Sequence, residues 1–234
     1  MQAIVSRFTE SNVLDIAVHY AECGQGEPLV LLHGNGEDGT YFEHQMAFFQ
    51  RSYRVIAVDT RGHGKTSRGT APFTLDQFVS DLDAFLDALG IASANILGFS
   101  DGANVALLFA LAHPERVRKL VLNGGNLFPE GLTEQTRREI DEEWDEALSA
   151  DDEHQLELLK LMIDEPHIDP AQLAGLHIPT LVVAGNDDMI EEEHTRLIAS
   201  SIPGAQLAIV EGTHFVAAEN PDAFNRVVAD FLNE

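Results

Sequence analysis

The sequence predicts an α/β fold: a mostly parallel central sheet of about eight strands with helices on both faces. Two observations carry this. Short, continuous apolar runs recur along the chain, and runs without alternation belong to strands buried on both faces. Between them lie segments whose apolar residues repeat at helical spacing. The 234 residues are enough to bury a full-sized core as one domain over 1–234, and 44% of them are hydrophobic, within the globular range.

Residues near 3–8 and 12–20 read as two antiparallel strands that open the sheet, the second carrying Val13, Ile16 and Val18. Residues 28–32 are a buried strand. A helix over about 40–50 puts Phe42, Met46 and Phe49 on one face. A second buried strand, 54–58, ends at Asp59. Segment 74–89 carries its own boundaries: Thr74 and Gln77 are spaced as a capping box, and Gly90 follows the last turn. Its apolar stripe is Phe78, Leu82, Phe85 and Leu89.

Strand 95–98 is followed by helix 101–112, and strand 119–122 ends at Asn123-Gly124-Gly125-Asn126. The alternation then breaks. Residues 127–174 hold no strand signal but two helical patterns, 133–148 with Ile140, Trp144 and Leu148, and 152–163 with Leu156, Leu159 and Met162. Strand 180–184 leads to a helix near 190–200, with Glu191, Glu192 and Glu193 at its positive end. Strand 206–210 follows, and Asn220-Pro221 is read as the N-cap and first turn of a terminal helix.

The formal charge is −25, from 39 acidic and 14 basic residues, and much of the acid lies between Glu134 and Glu153. Such a surface repels phosphates, so nucleic acid and anionic membranes are not expected partners. Neutral or cationic small molecules are favoured over anionic ones. The single cysteine, Cys23, excludes an intrachain disulfide and is expected to be inert in a loop before a strand. No apolar run approaches membrane-spanning length, and the first residues lack a leader pattern, so a cytoplasmic location is expected.

The most telling segment is Gly98-Phe99-Ser100-Asp101-Gly102, a G-x-S-x-G between a strand and a helix. Such a turn exposes the serine at the end of a sheet. The pentapeptide alone arises by chance in on the order of 6% of chains like this one, so its context must decide. Three other segments agree with it. His33-Gly34-Asn35-Gly36 follows a buried strand, where a backbone N–H can be aimed beside the serine. Gly185-Asn186-Asp187-Asp188 and Gly212-Thr213-His214-Phe215 also follow strands, where open α/β sheets put their sites.

With Asp59-Thr60-Arg61-Gly62-His63-Gly64-Lys65-Thr66-Ser67 similar to a D-x-R-G-x-G-x-S loop, the chain resembles the α/β-hydrolase superfamily from end to end. His113-Pro114-Glu115-Arg116-Val117 resembles that superfamily's usual ending of the helix after the serine. The resemblance implies that 127–174 forms a small helical cap and that the loop beginning at Asp59 is structural. It also implies Asp188, by its G-x-x-D spacing, as the acid rather than its neighbour Asp187. His214 is then the base and Ser100 the nucleophile, with the backbone N–H groups of Asn35 and Asp101 forming the oxyanion hole.

The expected reaction is hydrolysis of a small carboxylic ester by a serine esterase, without metal or other cofactor. Lactone hydrolysis, C–C bond hydrolysis and perhydrolysis use the same scaffold, and a ligand-binding protein without turnover is a rival of another class. Phe99 and Trp144 are candidates for touching substrate, with Phe128, Met189 and Phe215 behind them. Asp101 either complements its helix dipole or attracts an amine-bearing substrate. His33 is expected to be a structural hydrogen-bonder, and His113, His154 and His167 surface residues. The patterns leave the oligomeric state open.

Overall fold

The computed structural model describes residues 4–10 and 14–234. Its eight strands are β1 (Val5–Glu10), β2 (Ala17–Cys23), β3 (Glu27–Leu32), β4 (Tyr53–Val58), β5 (Ala94–Phe99), β6 (Val117–Asn123), β7 (Thr180–Asp187) and β8 (Gln206–Thr213). They form one sheet in the order β1-β2-β4-β3-β5-β6-β7-β8. β2 is antiparallel to both neighbours, and the ladders from β4 to β8 are all parallel. The parts of the two opening strands predicted at residues 3, 12 and 13 lie outside the described residues. The second strand starts later than predicted and runs to Cys23, which is therefore buried at a strand end and not in a loop.

The helices are α1 (Glu43–Phe49), α2 (Leu75–Ala88), α3 (Asp101–Ala112), α4 (Glu134–Ala150), α5 (Glu153–Asp164), α6 (Glu192–Ser201), the single turn α7 (Val216–Glu219) and α8 (Pro221–Asn233). Helices α2, α3 and α6 pack one face of the sheet through Phe85, Phe109 and Ile198. Helices α1 and α8 pack the other through Phe49, Phe224 and Phe231. Every residue of β5 is buried between these layers, which is why it reads as an unbroken apolar run. β3 and β5 are neighbours, although the chain visits β4 between them. Their carboxyl ends therefore flank the point where the winding reverses, the usual place for a ligand in such sheets.

Three local expectations are corrected. The predicted helix 40–50 is a 3-10 turn, Gly39–Phe42, followed by α1; Asp38 accepts from the Thr40 N–H at its start. Thr74 caps α2 by accepting from the Gln77 N–H, but Gln77 turns its amide to Asp81 at 2.8 Å, so only half the capping box forms. Asn220 does not cap α8 through its side chain, which donates instead to the Glu211 carbonyl at 3.0 Å.

Helices α4 and α5 are inserted between β6 and β7 and form their own cluster with Leu132, Ile140, Ala147, Leu159 and Ile190. Leu148 lies on the exposed side of α4 despite its spacing from Ile140. Among the described residues, no helix is long and apolar enough to cross a membrane.

Candidate active site

Ser100 stands between β5 and α3 with φ 54° and ψ −122°, a backbone region a non-glycine residue occupies at a cost of about 1–3 kcal/mol. The turn survives because its surroundings fix it. The Ser100 N–H donates to the Asn123 carbonyl at 2.8 Å. A Cβ at Gly98 would lie 2.2 Å from the Gly102 carbonyl oxygen, and one at Gly102 would lie 2.1 Å from the Leu32 oxygen. Both flanking glycines are thus demanded by close backbone approach, and α3 is pressed against the end of β3.

His214 follows β8 directly and Asp188 follows β7 directly, each one residue past its strand. The structure brings them together: His214 Nδ1 and Asp188 Oδ1 are 2.6 Å apart, and both side chains are buried. Asp188 is held in turn by the N–H groups of Gly185 and Ile190, each at 3.1 Å. A carboxylate only accepts, so Nδ1 is the donor in this contact, and the ring's other nitrogen, Nε2, is not engaged by Asp188. Asp187 is the last residue of β7 and is exposed, as is Asn186 before it, where the ladder to β8 loses its regular register. Gly124, at φ +62°, lies against the imidazole: a Cβ there would be 2.7 Å from His214 Cε1.

Ser100 and His214 both line a cavity of about 330 Å³. Its floor is Gly34, Asn35, Phe99 and Asp101, and its roof comes from Leu158, Leu159 and Met162 of α5. Among the described residues, the backbone N–H groups of Asn35 and Asp101 donate to no protein acceptor. Asp101 lies in the first turn of α3, where the unpaired N–H groups and the helix dipole favour negative charge.

The sequence from 27 to 162, more than half the chain, matches the model of the alpha/beta hydrolase fold family. The chain belongs to the alpha/beta hydrolase family. It is 29% identical to 3-oxoadipate enol-lactonase 2 of Acinetobacter baylyi, over 92% of each protein. It is also 29% identical to 2-hydroxy-6-oxononadienedioate/2-hydroxy-6-oxononatrienedioate hydrolase 2 of Pseudomonas putida, covering 99% of this chain and 97% of that protein. The enol-lactonase from Burkholderia xenovorans LB400 superposes with a TM-score of 0.82 at 23% identity, over 97% of this chain and all of that one, a likeness of fold.

The family match ends before Asp188 and His214, so the pairing of these two rests on the geometry above. In this alpha/beta hydrolase the loop starting at Asp59 is built into the fold. Asp59 accepts from the N–H groups of Gly39 and Lys65 and contacts His19. Buried Arg61 makes a two-pronged contact with Asp81 and a 2.7 Å pair with Asp15. His33 accepts from the Thr60 N–H through Nε2, so its Nδ1 donates to the Gly34 carbonyl at 2.7 Å. Burial holds His33 below the usual histidine range.

Phe99 lines the cavity, stacked on Tyr41 with ring centres 4.4 Å apart. Trp144 does not line it. Half-buried on α4, it packs in the cluster between the inserted helices. Phe128 also lies off the cavity, edge-on to His194, whereas Met189 and Phe215 reach it.

Sequence reasoning missed Glu37, Glu143, Gln155 and Glu165, all of which line the cavity. Glu37 accepts from the Gly34 N–H at 3.2 Å, and burial pushes its carboxyl up to about 7. Burial likewise raises Asp101, against hydrogen bonds from Asn35 and Asn104. Glu165 is raised by burial, with the nearby Asp101 adding to it. The only prior sign of such a lining was the overall acidic balance.

Proposed function

We propose that the chain hydrolyses a small, uncharged carboxylic ester or lactone through an acyl-enzyme on Ser100. The observation that carries this reading is the 2.6 Å Asp188–His214 pair, whose imidazole faces the cavity that Ser100 lines. His214 takes the Ser100 proton through Nε2 as the hydroxyl attacks the carbonyl carbon. The oxyanion is held by the Asn35 and Asp101 N–H groups. His214 returns the proton to the departing alkoxide, then activates water to release the acid. Asp188 fixes the tautomer and stabilises the imidazolium. The inserted pair α4–α5 acts as the cap, and the ester is the only partner this chemistry needs.

Both curated relatives are hydrolases, and their names refer to dicarboxylates, an oxoadipate and a nonadienedioate. Carboxylates are commonly gripped by Arg or Lys. Among the described residues lining this cavity there is neither, while Glu37, Asp101, Glu143 and Glu165 present four carboxyl groups. The lining supports an uncharged substrate.

Initial rates on nitrophenyl butyrate, a simple lactone and the nitrophenyl monoester of glutaric acid test this directly. Neutral substrates should turn over, and Ser100→Ala should lose activity by a factor on the order of 10⁴–10⁶. At pH 8, above the range in which Glu37 holds its proton, the glutarate should be slower than butyrate by about tenfold or more, since like charges repel in a poorly solvated cavity. A folded wild type that turns over no neutral ester or lactone would sink the reading.

A further inference from the structure

The two residues assigned as oxyanion donors are also bonded to each other through their side chains. Asn35 comes from the loop after β3, and Asp101 opens α3. Asn35 Nδ2 donates to Asp101 Oδ2 at 2.8 Å. The same amide nitrogen donates to the Leu158 carbonyl of α5 at 2.9 Å. A carboxamide NH₂ has two hydrogens, and both are used.

The network continues on the far side of Asp101. Its Oδ1 accepts from Asn104 Nδ2 at 3.4 Å. Asn104 and Asn126 are bonded in both directions, Nδ2 to Oδ1 at 2.8 Å and backbone N–H to Oδ1 at 2.9 Å. One line of contacts therefore joins the α5 backbone, the loop after β3, the start of α3 and the loop after β6. Both Asp101 oxygens are engaged, so its carboxylate is tied to the fold before any substrate arrives.

We propose that the Asn35 side chain is a positioning residue that sets the span of the oxyanion hole and ties that span to the seating of α5. The inference rests on the acyl-enzyme reading above. Oxyanion donors act only when both lie about 2.7–3.1 Å from the developing charge. Here they come from separate chain segments, and the cross-bond holds the two at one separation. The bond to Leu158 makes the same amide sense whether α5 is down on the cavity. When α5 lifts, Asn35 loses one of its two fixed partners and the hole loosens.

A swap separates these roles. Asn35→Asp sets two carboxylates against each other and removes both donors. Asn35→Asp combined with Asp101→Asn restores the cross-bond with its direction reversed, and the carboxamide introduced by the second change keeps an oxygen for Asn104. It offers Leu158 no donor. On nitrophenyl butyrate, Asn35→Asp and Asn35→Ala should each lose about 10- to 100-fold in kcat with little change in KM, as for a misplaced catalytic group. The double variant should recover about tenfold of the kcat lost in Asn35→Asp but stay below wild type, because the paired donors are again held while the tie to Leu158 remains missing.

Hydrogen exchange of the α5 amides reads the second role without turnover. Exchange across Glu153–Asp164 should quicken in Asn35→Ala and stay quick in the double variant. A folded double variant no faster in catalysis than Asn35→Asp, or a fully active Asn35→Ala, would overturn the span assignment. Unchanged α5 exchange in Asn35→Ala would overturn the tie. A wild type that cleaves no ester would remove the reading underneath, while the exchange result would still decide whether Asn35 holds α5.

Discussion

Two Ser–His–Asp arrangements occur among the described residues, and only one has the surroundings of a site. In the first, Asp188 contacts His214 at 2.6 Å beside Ser100. In the second, Ser6 Oγ lies 2.6 Å from His19 Nε2, and His19 Nδ1 lies 2.7 Å from Asp59 Oδ2. Their acid–base halves are alike. Both histidines are buried, and each aspartate is steadied by two backbone N–H groups. The serines differ. Ser6 sits exposed in the edge strand β1, paired with Ala21 in regular antiparallel register. Ser100 sits on a strained turn, at a helix start, with unused N–H groups and a cavity before it. A serine beside a histidine–aspartate pair is a motif of hydrogen bonding. The turn and the donors turn it into one of chemistry.

The largest effect that would sharpen this comparison comes from the acids. Asp188→Asn should lower kcat on nitrophenyl butyrate by about 10⁴-fold, because the amide favours the wrong imidazole tautomer. Asp187→Asn, one residue earlier and exposed, should change it less than about threefold. Equal losses at the two positions would break the assignment of the pair. This distinction was only partly legible in the sequence. Spacing favoured Asp188, but the physical reason is that β7 runs on through Asn186 and Asp187 before the chain turns inward.

Other features divide the same way. Strands β3 to β7 were legible because helices on both faces force continuous apolar runs. The last residues of β8, Glu211 to Thr213, were not, since the edge strand is half open and polar residues are tolerated there. The elbow was legible because its glycines answer to close approach that no other residue permits. Trp144 was misjudged. The spacing gave an apolar stripe on α4 but not its partner: Ile140 and Trp144 pack in the cluster between the inserted helices, and Leu148 is exposed. Glu37 carried no signal at all, being one of 39 acidic residues.

Glu37 offers the intermediate effect. Its neighbours are His214, which favours the charged form, and Asp38, which opposes it, with burial outweighing both. Below pH about 7 the carboxyl holds its proton beside the loop that carries Asn35, the proposed oxyanion donor. Above that pH its charge opposes the developing oxyanion. The wild-type kcat/KM should therefore fall by about tenfold from pH 7 to 9, and Glu37→Gln should flatten that limb. Stability follows the same proton. The folded state holds it to about pH 7 while the unfolded chain releases it near the usual 4.5, so stability declines across that window. Glu37→Gln should raise the Tm at pH 8 more than at pH 4. A variant whose pH–rate profile and pH–stability curve both track wild type would remove Glu37 from either role.

The smallest effect belongs to the second serine, and it tests the comparison most cleanly. Ser6→Ala should leave kcat and KM on nitrophenyl butyrate within about twofold of wild type, because Ser6 is not among the residues that line the cavity. It should cost about 1–3 kcal/mol in urea unfolding, because it leaves the Nε2 of buried His19 without its partner. The wild type and Ser6→Ala should be labelled equally by a fluorophosphonate that modifies activated serines, and Ser100→Ala should not be labelled. If Ser100→Ala kept labelling that Ser6→Ala abolished, the histidine–aspartate pair would be enough to activate a strand serine. The turn and its free N–H groups would then lose the weight assigned to them here.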